Sequence, residues 1–196
     1  MSEPSVDPTH CALLVMDYQP VVLNSLPGAA ELLEHTRQAV TAVRRHGGHI
    51  GYVRVAFQDE DYSAVPPANQ AFAAVAAARY LSDASADTAI HHDVAPEPGD
   101  IVVRKTRVGA FSTTDLDAQL RGRGVQTLIL AGVHTSGVVL STVREAADRD
   151  YRLIVLEDCA ADPDAEVHDV LLRKVLSRQA TVTTAGNLAA LFAAAR

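Results

Sequence analysis

Residues 127–147 read TLILAGVHTSGVVLSTVREAA, and this stretch decides the fold. Thr127 to Val133 is a continuous apolar and β-branched run, the signature of a strand covered on both faces. His134-Thr135-Ser136-Gly137 is a short polar turn, and from about Val138 the pattern becomes helical. Strand, tight turn and helix in that order make one half of a parallel α/β unit. The turn lies at the carboxyl edge of the sheet, where such folds carry their chemistry. The helix start behind it offers free N–H groups and a partial positive charge, suited to an anion or an oxyanion.

Working outward, the same alternation repeats. Residues 11–17, CALLVMD, form an apolar run ending in an acid. A helix face follows over 29–46 (Leu32, Leu33, Ala39, Val40, Val43), stopped by His46-Gly47-Gly48. Strands are expected over 49–57, 100–105, 151–157 and 180–183. Helices are expected over 69–80, from a Ser112–Asp115 capping box through Arg121, after Asp162-Pro163-Asp164 with a Val167, Val170, Leu171, Val175 stripe, and over 187–195. Residues 58–68, with Pro66-Pro67, read as a loop. Strands alternating with helices imply a three-layer α/β/α protein with a mostly parallel sheet.

A chain of 196 residues suits a single domain, 1–196. No apolar stretch reaches the roughly 20 residues of a membrane span, and the polar start MSEPSVDPTH has no signal pattern, so a cytoplasmic location is expected. The net charge of −7 argues against a nucleic-acid surface. Two cysteines, Cys11 and Cys159, make no disulfide framework and read as small buried residues.

Two charged residues end apolar strands. Asp17 is either a partly desolvated proton-transfer group or a carboxylate capping the next loop. Lys105 precedes a Gly-Ala-Phe turn. It either steadies a nearby negative charge or snorkels from the rim. Ser136 in the central turn reads as a helix cap or as a nucleophile needing a base, and His134 is the nearest candidate base. His91-His92 is poorly spaced for a shared tetrahedral metal site, and the acids at 59–61 sit in a polar loop. No catalytic metal and no cofactor are expected.

Taken together, three motifs resemble the isochorismatase-like hydrolase superfamily, the cysteine hydrolases. Val15-Met16-Asp17-Tyr18-Gln19 is similar to that family's strand followed by D-x-Q. Lys105, Gly109, Ala110, Phe111, Thr114 and Leu116 fit its K-x-x-x-[SG]-A-F motif and the helix start behind it. Gly132, Val133, Thr135, Val139, Ser141, Thr142, Arg144, Glu145 and Ala146 fit its turn, G-V-x-T-x-x-C-V-x-S-T-x-R-[DE]-A. The resemblance implies a Rossmann-like fold with a six-stranded, mainly parallel sheet, a small-molecule substrate and a homodimer or homotetramer.

It also implies site roles. Asp17 becomes the acid/base and Lys105 its cationic partner. Gln19 and Phe111 become substrate-side residues, and the bond from Val133 to His134 a non-proline cis peptide. The nucleophile slot holds Val138, or Gly137 when the turn is anchored on the downstream Ser-Thr-Val, as in members that cleave vinyl ethers without a thiol. The expected function is therefore acid-catalysed hydrolysis of the isochorismatase type, by Asp17 with Lys105. The alternatives are a ligand-binding homologue and an amidohydrolase using Ser136 or water.

Overall fold

The structure is a computed structural model and describes residues 6–193. Six strands, Cys11–Met16 (β1), His49–Val55 (β2), Ile101–Lys105 (β3), Thr127–Val133 (β4), Arg152–Ala161 (β5) and Thr181–Thr183 (β6), form one sheet in the order β3-β2-β1-β4-β5-β6. Every pairing is parallel. The helices are Pro20–Leu23 (α1), Ala29–Arg45 (α2), Asp59–Ser63 (α3), Gln70–Ala77 (α4), Leu116–Gly122 (α5), Leu140–Ala147 (α6), Ala165–Val170 (α7) and Leu188–Ala193 (α8). None is long and apolar enough to cross a membrane.

The unbroken apolar strands are explained by cover on both faces. Leu13, Val15, Ile129, Ala131 and Ile154 point to the side of α2 and α8, with Val43, Leu188 and Phe192. Their strand neighbours Ala12, Leu14, Met16, Leu128 and Leu130 point to the side of α5 and α6, with Leu116, Leu120 and Val143. A smaller cluster of Phe57, Tyr62, Val65 and Phe72 ties α3 and α4 to the end of β2.

Several expected boundaries move. The 58–68 segment contains α3, whose first turn is held by the Gln58 N–H donating to Asp61 Oδ2 at 2.8 Å. Asp115 leads into α5 without a side-chain cap bond; Thr114 Oγ1 instead accepts the Leu116 N–H at 3.3 Å. β5 runs on to Ala161 because a bulge between Val155 and Ala160 shifts its register against β4. That bulge takes Glu157 and Asp158 off the ladder, and Asp158 Oδ1 receives the Ala185 N–H at 2.9 Å.

Asp164, not Asp162, caps α7, accepting from Glu166 N and Val167 N. The expected stripe there is also displaced. Val167 and Val170 are exposed at 37 % and 40 %, while Leu172 and Leu176 are buried. A wide i→i+5 turn over Leu171–Val175 follows, and the buried leucines lie within it and directly after it. The last residues of the expected 187–195 helix, and the first five of the chain, lie outside the described residues.

Candidate active site

The strand order creates a switch point between β1 and β4, where connections leave to opposite sides and α/β sheets open a crevice at their carboxyl edge. Asp17 is the first residue past β1, between the ends of β2 and β4. Its backbone is left-handed, with φ 61°, a region that Asp and Asn tolerate better than most side chains. It is fixed there by its N–H donating to Val53 O at 2.8 Å and by its carbonyl accepting from Gln19 N at 2.8 Å. The side chain is buried, with the residue 6 % exposed.

Lys105 ends β3, two strands from β1, or roughly 10 Å at the usual strand spacing. Its stem reaches back past Val55, and Nζ meets Asp17 Oδ2 at 2.8 Å while donating to Val108 O at 2.6 Å. At 2 % exposure it is no snorkelling surface lysine. Burial pushes the Asp17 carboxyl above the usual carboxylate range; the Lys105 charge and hydrogen bond, and then His134, pull the other way without overcoming it. Asp17 Oδ1 is buried and has no hydrogen-bond partner among the described residues. One oxygen is thus held by the lysine and the other has no partner.

The central turn closes the site from the β4 side. The bond between Val133 and His134 is cis, at the position the family resemblance points to. A wide turn over Thr135–Val139 follows and leads into α6; His134 O accepts from Gly137 N at 3.1 Å and Val139 N at 3.3 Å. Two residues that the sequence reading did not single out hold this turn. Asp162 Oδ2 accepts the Ser136 N–H at 2.8 Å, and His168 Nδ1 pairs with Thr135 Oγ1 at 2.8 Å. Burial alone would raise the Asp162 carboxyl, but the Ser136 and Asp164 hydrogen bonds hold it below its ordinary value. Asp162 was legible only as part of the acid-proline-acid start of a helix, and His168, inside α7, carried no signal of its own.

Val138 is buried at 2 % within the core on the α6 side. A Cβ on Gly137 would meet nothing within 4 Å, so that position faces open space. Ser136 is exposed, with an acid beside it rather than the Asp17–Lys105 pair. The Cys11 thiol is sealed at the opposite end of β1 and is pushed up to about 12 by burial. Burial likewise drives the Cys159 thiol far up. Neither is placed or ionised as a nucleophile needs.

Gln19 does not face a ligand. It is fully buried, its Nε2 donating to Val55 O and Thr88 O and its Oε1 accepting from Val55 N at 2.8 Å. With its whole amide engaged by backbone, it pins the end of β2 beside Asp17. Phe111 is also away from the carboxyl edge, stacked 6.3 Å from Tyr151 under the Arg149 guanidinium. Both expected substrate contacts are therefore structural supports. His91, His92 and Asp93 do come together, with ligand atoms within 4.8 Å of one another, which their adjacency in sequence had argued against. His92 and Asp93 are exposed, and the Asp93 N–H is already donated to His91 Nδ1 at 3.3 Å.

Gly132 is where β4 and the turn meet most closely. A Cβ there would stand 2.9 Å from Val139 Cγ2 and 3.2 Å from both Met16 Cε and Val138 Cγ1. Gly132→Ala is expected to destabilise by about 1–3 kcal/mol through overpacking and to lower activity by shifting the turn. Urea unfolding alongside any turnover assay checks both, and an unchanged midpoint would contradict this packing.

The isochorismatase domain family matches over residues 11–187. The isochorismatase family protein YwoC of Bacillus subtilis is 31 % identical over 179 residues, covering 91 % of this chain and 92 % of YwoC. The ureidoacrylate amidohydrolase RutB of Methylorubrum extorquens is 44 % identical, but over only 80 residues, 41 % of this chain and 32 % of RutB. Among solved structures, an isochorismatase family protein from Burkholderia thailandensis superposes with a TM-score of 0.82 at 27 % identity, over 98 % of this chain and all of that one.

Proposed function

The chain belongs to the isochorismatase family of hydrolases, and from that premise we propose that it cleaves a small vinyl ether by acid catalysis at Asp17, without a covalent enzyme intermediate. The observation that carries this reading is the Asp17 carboxyl itself. It is buried and raised by that burial above the usual carboxylate range, with Oδ2 anchored 2.8 Å from Lys105 Nζ and Oδ1 unpartnered. Such a group donates a proton well, and the lysine steadies the carboxylate left behind. Proton transfer from Oδ1 to the terminal vinyl carbon gives an oxocarbenium ion. Water adds to it, and the hemiketal collapses to a ketone and an alcohol.

No thiol is required by that sequence. Val138 or Gly137 at the family's cysteine position, and the sealed Cys11 and Cys159, support it over acyl transfer to sulfur. The test is pyruvate release from isochorismate by the wild-type protein. Steady release supports the reading; none would remove isochorismate as substrate. The likeness to ureidoacrylate amidohydrolase supports a second reading, attack of water on a ureido carbonyl carbon with cleavage of its C–N bond. Ammonia released from ureidoacrylate, with isochorismate untouched, would favour it.

A further inference from the structure

We propose that His134 is a second catalytic residue, the base that takes the proton of the attacking water from the side of Asp17 opposite Lys105. This rests on the acid-catalysed reading above and supplies what that reading leaves open. Water adds more readily as it loses a proton, and the Asp17 carboxylate left after the vinyl carbon is protonated is one acceptor, already bonded to Lys105. Lys105 has no acceptor as an ammonium. A second acceptor within reach of the same carbon shares that task.

The register provides one. Met16 pairs with Gly132, so Asp17 and Val133 end adjacent parallel strands, and His134 is the next residue past that edge. Adjacent strands run about 4.8 Å apart. Among the described residues, three buried side-chain polar atoms have no hydrogen-bond partner: Asp17 Oδ1, His134 Nε2 and Arg149 Nε. Arg149 lies with Phe111 and Tyr151 away from the carboxyl edge. The other two belong to this one corner of the sheet. Buried orphan atoms are uncommon, and each calls for a reason; here an acid oxygen and an imidazole nitrogen both stay free beside the switch point.

The backbone that carries the imidazole is also fixed in place. Its own carbonyl accepts two N–H groups of the turn, Asp162 clamps Ser136 N, and His168 clamps Thr135 Oγ1. The charged groups around the ring are Asp17 from β1, Asp162 from beyond β5 and, past Asp17, Lys105 from β3. Both acids lie within electrostatic reach of His134.

The proton count closes. Asp17 Oδ1 gives its proton to the vinyl CH2, forming the methyl group. Water bonds to the oxocarbenium carbon, and its proton passes to His134 Nε2. On collapse the carbon–oxygen bond to the alcohol breaks, the leaving oxygen takes the proton back from His134, and the hemiketal hydroxyl returns one to Asp17. One water is consumed, and both residues regain their starting state.

Two measurements test this. In the first, nitrogen-15 imidazole NMR compares the His134 ring signals of wild type and Asp17→Asn at one fixed pH. Shifted ring signals are expected from the changed neighbour, and superimposable spectra would overturn the proposal whatever the substrate. In the second, His134→Ala is assayed for pyruvate release from isochorismate. A loss of about 10²-fold or more is expected, recovered in part by added imidazole, while folded His134→Gln gains nothing from it. Full activity in His134→Ala, or a folded His134→Ala that imidazole fails to rescue, would also overturn it. If Asp17→Asn is inactive while His134→Ala is normal, acid catalysis stands and only the role of His134 falls. A wild type that releases no pyruvate removes the vinyl-ether reading, and the NMR comparison still decides the coupling.

Discussion

Asp17→Asn is expected to lower turnover by about 10²–10⁴-fold, the usual contribution of a positioned proton donor, with the fold intact. Several features make asparagine a fair replacement. It is nearly isosteric and tolerates the left-handed backbone that Asp17 adopts at φ 61°. Its side-chain oxygen can still accept from Lys105, which keeps its bond to Val108 O at 2.6 Å. What it lacks is an acidic proton on the second oxygen. Circular dichroism and the thermal midpoint would report the fold, and substrate turnover the chemistry. Retained turnover in a folded Asp17→Asn protein would remove Asp17 as the acid, and the proposed reaction with it.

Lys105→Met should have the largest effect on stability, and the effect should depend on pH. Removing one partner of a buried ion pair leaves the other charge uncompensated and costs about 3–5 kcal/mol. Here the remaining group can escape by taking up a proton. Burial already raises Asp17, and Lys105 is the main influence pulling it down, so the variant carboxyl lies higher still. A carboxyl whose folded pKa exceeds its unfolded value, near 3.9, binds its proton more tightly in the native state. Its contribution to stability is complete below that unfolded value and is lost as pH rises through the folded pKa.

The destabilisation in Lys105→Met is therefore small in acid and grows toward neutral pH. Urea unfolding of wild type and variant across that range measures it directly. At neutral pH the double variant Asp17→Asn/Lys105→Met should be more stable than the sum of the single changes predicts, because no unpaired charge remains. A pH-independent loss, or strict additivity, would mean that the two groups are not coupled as their 2.8 Å contact implies. Turnover should fall as well, since the carboxylate formed after proton donation loses its cation.

Much of this could be read from the chain before folding. The strands from Cys11, His49, Ile101, Thr127 and Arg152 announce themselves as apolar runs, because a parallel sheet covered on both faces has no polar side to alternate with. Asp17 and Lys105 stand out for the same reason: a charge closing such a run has little water around it. The turn at 134–137 is legible as a polar break between a strand period and a helix period.

Tertiary structure alone decided the rest. Nothing local places β3 two strands from β1 on the side away from β4, yet that order lets Lys105 reach Asp17 and leaves the other flank to His134. Gln19 and Phe111 fit motifs, but whether such residues face a ligand or the backbone depends on what packs beside them; Val55 and Thr88 occupy the first, Tyr151 and Arg149 the second. Asp162 looked like part of a helix start and His168 had no reading until folding carried them to the central turn, 26 residues from Ser136 and 33 from Thr135 along the chain. Periodicity records how each segment meets water or core. Which polar atoms then face each other is set by contacts between distant segments, and these form only when the sheet closes its order.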